Sequence, residues 1–155
     1  MKYNTRMAVN RDVDRVLAMY HNHRNELRFD AVFEFFRLES YLGDKVKLIL
    51  TEEIETNRLV GCISLVYSDV QADGQITVFA NNMLVDREHR MKGISKILSK
   101  AAEMKAKMDN ADGIIKVAHK SSPFLNLEAE QKDGFSIKAS GDYLIIGKQL
   151  KEVKT

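Results

Sequence analysis

The alternation of apolar and polar positions divides the chain into helices and strands in a readable order. Tyr3 to Val9 predicts a first, edge-like strand. Asn10 follows as an N-cap, with Asp12 and Asp14 in the first turn and Val13, Val16, Leu17 and Tyr20 at helical spacing. The charge-crowded run His21 to Arg28 ends or bends that helix. A second helix starts after Asp30, carries Val32, Phe33, Phe35, Phe36 and Leu38, and closes at Gly43. The pattern then changes to that of strands. Val46 to Thr51 and Leu59 to Tyr67 predict a hairpin across the polar link Glu52 to Arg58. After the polar turn Ser68 to Gly74, Ile76 to Val85 adds a third strand to the sheet. Asn81-Asn82 interrupts it, and a bulge is expected there because asparagine tolerates unusual backbone angles.

A long amphipathic helix comes next. Ile94, Ile97, Leu98, Ala101, Met104 and Met108 form its apolar stripe, with Lys96, Lys100, Glu103 and Lys107 largely on the other side. Asp109 to Gly113 stops it, and Ile114 to Ala118 is another apolar strand. Strand, helix, strand at this spacing makes a right-handed parallel crossover. Ser122-Pro123 starts a short helix, serine as N-cap and proline in the first position, that holds Phe124, Leu125 and Leu127 and ends at Asp133-Gly134. Phe135 to Ala139, the turn Ser140-Gly141-Asp142 and Tyr143 to Lys148 close the chain as a hairpin, and Lys151 to Thr155 frays. The cluster Phe33, Phe35 and Phe36 reads as core and the methionines as packing filler.

The turn between the bulged strand and the long helix changes the picture from fold to chemistry. The first amides of a helix have no partner inside it, and the peptide dipoles put partial positive charge there. Gly93 lets the backbone bend tightly and approach a ligand, and Arg87, His89, Arg90, Lys92 and Lys96 surround it with positive or potentially positive charge. A phosphate or pyrophosphate is well held by such a turn. An ordinary connection with solvated basic residues is the alternative.

A length of 155 residues suits one domain, 1–155, able to bury a core without staples. The 24 basic and 22 acidic residues are mixed along the chain, which gives no warrant for nucleic acid as a partner. Cys62 is the one cysteine, so no intramolecular disulfide forms; in its apolar strand it reads as a buried small hydrophobe. The N-terminal residues lack a signal peptide's apolar run, and no segment spans a bilayer, so a soluble, cytoplasmic protein without membrane association is expected.

In this order the elements resemble a GNAT-type N-acetyltransferase over nearly the whole chain. The family's acyl-carrier motif stands here as Arg90-Met91-Lys92-Gly93-Ile94-Ser95, preceded by Leu84-Val85-Asp86. Gly134-Phe135 after a short helix, then a hairpin ending Gly147-Lys148-Gln149-Leu150, matches the family's tail. Ser95 departs mildly from the small-residue position, and its hydroxyl can donate to a phosphate oxygen. The resemblance implies an α/β (α+β) fold, a mixed and mostly antiparallel central sheet with a parallel, splayed strand pair and flanking helices. It implies acetyl-CoA as cofactor, its pyrophosphate on the amides of Arg90, Met91, Lys92, Gly93, Ile94 and Ser95. The pantetheine arm then runs along Met83, Leu84 and Val85 into the gap where the strands Ile76–Val85 and Ile114–His119 part. The implied activity is acetyl transfer to a primary amine, small-molecule or protein, by direct attack in a ternary complex.

The catalytic half is less determined. Relatives often carry a carboxylate base on the bulged strand, and between Gln75 and Leu84 this chain has none. His119 is the nearest titratable candidate, with a partly exposed strand-end histidine as the alternative. The family's usual acid, a tyrosine, falls at Glu130, which donates only if burial raises its pKa; Ser122 or a water are substitutes. By the same resemblance the acceptor groove lies between His21, His23, Arg24, Glu26 and Arg28 on one side and Asp142 with Tyr143 on the other. His21 and His23 are two apart and point different ways on a helix, so no metal is expected. A CoA-binding module without catalysis and a protein-interaction domain keeping only the fold are the competing readings, and a homodimer is left open.

Overall fold

The computed structural model describes residues 2–23, 25, 45–68, 74–122 and 126–151. The helix expected after Asp30, with Phe33, Phe35 and Phe36, lies outside these residues, as do Arg24, Glu26, Arg28 and Pro123 to Leu125. The elements are β1 (Tyr3–Met7), a 3-10 turn (Asn10–Asp12), α1 (Val13–Asn22), β2 (Val46–Glu53), β3 (Leu59–Tyr67) and β4 (Thr77–Val85). A second 3-10 turn (Arg87–His89) leads to α2 (Ile94–Met108), β5 (Gly113–His119), α3 (Leu127–Lys132), β6 (Ser136–Ser140) and β7 (Tyr143–Gln149). The strands form one seven-stranded sheet in the order β1-β2-β3-β4-β5-β7-β6. Neighbours are antiparallel except β4 and β5, which are parallel and joined through α2, as the strand–helix–strand pattern predicted. Among the described residues no helix is long and apolar enough to cross a membrane.

Side-chain alternation along the strands divides the core into two layers. On one face Val16, Met19 and Tyr20 of α1 pack on Leu48, Leu50, Cys62 and Leu84. On the other, α2 packs on Ile49, Ile63, Leu65, Val78, Ala80 and Ile114. Each fully buried Leu or Ile contributes about 1.5–3 kcal/mol relative to exposure, so these two layers hold the sheet between its helices.

The inner face of α2 is not the stripe that the apolar pattern predicts. Ile94, Leu98, Ala102 and Ala106, one row at i, i+4 spacing, are the buried residues. Ile97, Met104 and Met108 are 42%, 63% and 73% exposed. Alanines let the helix axis come close to the sheet, and a Cβ on Gly61 of β3 would stand 2.9 Å from Ile94 and 3.1 Å from Leu98. Close approach thus selects the small side chains over the methionines. Glu103, expected on the outer side, pairs instead with Lys148 of β7 and is half-buried.

Two helix starts also differ from expectation. Asn10 opens the 3-10 turn rather than capping α1, and the carboxylate of Asp12 accepts the Val9 N–H at 2.8 Å. Asp12 is held there by Arg6 at 2.8 and 2.9 Å and by Arg15, and the Arg6 hydrogen bonds keep its carboxyl far below the usual range. The short helix starts at Leu127, with Asn126 accepting the Ala129 N–H at 3.1 Å, so Ser122 is not its cap. Cys62 is fully buried, as its apolar strand predicted, and burial pushes its thiol up to about 12.

Asp109 anchors the far end of α2 to the sheet through Lys47 of β2 at 2.9 Å, Lys105 at 3.2 Å and the Tyr67 hydroxyl. Burial raises its pKa, but the hydrogen bonds from Tyr67, Lys47 and Lys105 outweigh that and bring it from 3.8 to about 2. A carboxyl depressed on folding stabilises the protein above its unfolded value and loses that contribution as pH falls through the folded one. Wild type should therefore lose melting temperature between about pH 4 and pH 2 more steeply than Asp109→Asn. Parallel slopes in thermal melts across that range would contradict this.

Candidate active site

Asn82 lies in the left-handed region at φ 60°, and around it two steps of β3 (Cys62 to Ser64) face three of β4 (Leu84 to Asn81). That is the bulge expected from the asparagine pair. It reverses the strand's facing: Ala80 and Val85, an odd number of residues apart, both belong to the layer under α2. Its carbonyls are committed. The Tyr20 hydroxyl of α1 donates to the Asn82 carbonyl, the Cys62 thiol donates to Tyr20 at 3.1 Å, and Ser64 donates to the Asn81 carbonyl at 3.0 Å.

The bulge coincides with a breach. Pairing of β4 with β5 covers Thr77–Gly113, Val78–Ile114 and Phe79–Ile115, then stops. Past that point the Asn81 side chain reaches across, accepting the Val117 N–H at 2.8 Å. Beyond it Leu84 and Val85 pair with β3, and among the described residues Met83, Leu84 and Val85 have no strand partner on the β5 side.

At the mouth of the breach β4 turns into α2. Met91 and Gly93 carry positive φ, 60° and 81°, which swing the chain so that α2 begins at Ile94. Among the described residues no side chain caps this helix end and no acidic residue occupies its first turn, which leaves its first amides and dipole without a side-chain partner there. Lys92 and Lys96 are exposed beside it. The other basic residues of the turn serve the protein itself. Arg90 donates to the Val85 carbonyl at 3.1 Å and Arg87 to the Asn22 carbonyl at 3.3 Å. His89 is buried, bonded to the Tyr3 hydroxyl at 3.2 Å.

A brace fixes the start of this turn. Asp86 is buried, its amide on the Val60 carbonyl at 2.8 Å, and its carboxylate meets His23 at 3.3 Å and Arg58 at 3.2 Å. His23 bonds the Met19 carbonyl through Nδ1 at 2.8 Å, so that nitrogen donates and the ring links α1 to the turn. This removes His23 from the acceptor groove in which the resemblance placed it. His21 and Asp142 are exposed, and Tyr143 packs edge-on against His119. Asp86, Glu88 and His89 have ligand atoms within 4.8 Å of one another, but the Arg58 guanidinium bridges both carboxylates. A cation already serves that cluster.

The catalytic candidates fall into two groups. Nδ1 of His119 accepts the Ser121 N–H at 3.1 Å and lies 2.6 Å from the Ser121 hydroxyl. Ser122 joins this turn through its amide, on the His119 carbonyl at 2.9 Å. Glu130 stands apart on α3, where both carboxylate oxygens accept from Lys116 of β5 at 3.0 and 3.1 Å. A carboxylate doubly bonded to an ammonium accepts and does not donate, so the acid role expected of Glu130 does not fit its surroundings. Sequence reasoning did not identify the partners of these candidates, Ser121 for His119 and Lys116 for Glu130. Lys116 looks like any polar position within an apolar strand, and only contact with α3 distinguishes it.

A single mixed sheet, parted at a bulge, with the breach leading to an open helix N-terminus, is the class these features define. The acetyltransferase (GNAT) family model matches residues 13–125, most of the chain, and the protein belongs to that family. No curated protein is similar enough in sequence to match. Solved structures share the fold at low identity. PaiA N-acetyltransferase from Thermoplasma acidophilum, in complex with coenzyme A, is 14% identical with a TM-score of 0.70, over 96% of this chain and 99% of that one. A GNAT-family acetyltransferase from Staphylococcus aureus Mu50 is 17% identical, TM-score 0.71, over 97% and 100%. A chain of the NatC complex bound to Gag peptide and CoA is 15% identical, TM-score 0.74, over 97% and 100%.

Gly93 carries the sharpest local requirement. A Cβ there meets nothing within 4 Å, so any penalty is backbone strain and not crowding. Gly93→Val should lower unfolding free energy by roughly 1–2 kcal/mol in urea melts, the cost of a left-handed L-residue. An unchanged midpoint would show that the turn adopts another conformation.

Proposed function

We propose that this protein moves an acetyl group from acetyl-CoA to a primary amine by direct attack in a ternary complex. The observation that carries the reading is the continuity of the breach past Phe79–Ile115 with the uncapped start of α2. The residues present fit the carrier: amides from Arg90 to Ser95, with Lys92 and Lys96 beside them, suit a diphosphate. The one-sided edge of Met83, Leu84 and Val85 suits an extended amide-bearing arm that pairs like a strand. When bound, acetyl-CoA supplies an activated acyl carbon at the head of the breach.

The chain's own residues then do three things. They hold amine and thioester together in the gap, which removes most of the entropic barrier. A backbone N–H of the bulge, aimed by the locked carbonyls of Asn81 and Asn82, stabilises the developing oxyanion. The attacking amine must shed a proton, since a lysine-like ammonium with a pKa near ~10.4 has no lone pair. His119 takes it through the Ser121 hydroxyl, because Nδ1 is the acceptor nitrogen and that hydroxyl already sits on it. Ser122 holds the turn, and Glu130 orients Lys116. The acceptor is a small-molecule or protein amine in the cytoplasm.

The absence of a carboxylate between Gln75 and Leu84 favours a second reading, a CoA-binding module without catalysis. Both readings predict that CoA at about 100 times its dissociation constant adds ~2.7 kcal/mol, a rise in melting temperature of roughly 5–10 °C. Gly93→Val should abolish that rise. Thiol release from acetyl-CoA across a panel of amines separates the two readings, and no turnover on any amine would leave only the second. A flat thermal response to CoA would defeat both.

A further inference from the structure

Lys116 is a buried cation that the mechanism above leaves without a task. It is 8% exposed, the first residue of β5 after the last pair with β4, and the residue before the one whose amide Asn81 reaches across the breach. Its ammonium lies 3.0 and 3.1 Å from the two oxygens of Glu130 and 4.4 Å above the Phe135 ring centroid. Burying an ammonium is expensive even when it is paired, and replacing such a pair by apolar residues is often neutral or stabilising. Stability alone is therefore a weak reason for a lysine at this point of an otherwise apolar strand. Glu130 and Phe135 fix the ammonium on the side that carries α3, on a residue whose backbone stands where the β4–β5 ladder has just ended.

We propose that Lys116 is a catalytic residue of the acetyl transfer, the fixed positive charge that receives the leaving sulfur of CoA. This rests on the acetyl-transfer reading. As the amine nitrogen bonds to the acyl carbon, the carbon–sulfur bond breaks and its electron pair goes to sulfur. The thiolate leaves paired with the Lys116 ammonium, and the proton shed by the amine passes through Ser121 and His119 to water. Lys116 keeps its own proton throughout, with Glu130 as positioning residue. An ammonium anchored in a low-dielectric setting acts at the moment charge develops, without reorganising.

The test reads ionisation of the sulfur as well as turnover. Free CoA added to the wild-type protein should show the ultraviolet absorbance of a thiolate at a pH where CoA in buffer is a thiol. The double variant K116M/E130Q, which leaves no unpaired buried charge, should still bind CoA by calorimetry, lose the thiolate absorbance, and lose kcat by roughly 100-fold with little change in KM. K116R should retain much of both signals, and E130Q should keep the thiolate absorbance. If K116M/E130Q binds CoA with the thiolate signal intact and kcat within about threefold of wild type, Lys116 has no such role. If E130Q alone abolishes turnover while K116M does not, Glu130 is the group at the sulfur and the assignment to Lys116 falls. Wild type that binds no CoA at all would overturn the acetyl-transfer reading itself, and this assignment with it.

Discussion

The left-handed turn of one residue, Asn82, is the constraint on which the rest of this structure depends. A non-glycine residue at φ 60° persists only where its surroundings hold it, and here they do so from two sides. Tyr20, wholly buried on α1, takes the Asn82 carbonyl, and Ser64 on β3 takes that of Asn81. The bend they hold lies three residues past Phe79, the last residue of β4 paired with β5, so the ladder ends where the strand is turned.

The same economy shapes the turn into α2. Many positive charges gather between Arg87 and Lys96, yet the structure spends most of them internally. Arg87 and Arg90 serve backbone carbonyls, and His89 is buried beside Tyr3, Glu53 and Asp86. What no side chain caps, among the described residues, is the start of α2, with Lys92 and Lys96 exposed beside it. A site built from amides is set by φ and ψ more than by side-chain rotamers, which is why Met91 and Gly93 in positive φ matter more here than the count of basic residues. Asp86, gripped by His23 and Arg58, keeps that backbone in register with α1 and β3.

Two polar groups of β5 are held apart from one another. Nδ1 of His119 accepts the Ser121 N–H at the end of the strand, and Lys116, three residues earlier, pairs with Glu130. The proposed mechanism gives them opposite tasks, removal of a proton and reception of negative charge. Their separation onto a β5–α3 turn and a strand–helix contact lets each be held by its own neighbours.

The sequence by itself determined the succession of the described strands and helices, the bulge at Asn81-Asn82, the start of α2 after Gly93 and the motif from Arg90 to Ser95. These are local matters of period, backbone permissiveness and spacing. Where the reading failed, the deciding contacts came from far along the chain. The buried face of α2 turned toward Ala102 and Ala106 because Gly61, more than thirty positions earlier, lets the helix sit close. Asn126 displaced Ser122 as the cap once α3 found its place. His23 became a brace because Asp86 lay opposite it, and Glu130 became an acceptor because Lys116 did. Periodicity records what each residue is beside in the chain. Which charges meet, and which nitrogen of a histidine is left to accept a proton, is decided only when the sheet brings distant strands and helices into contact.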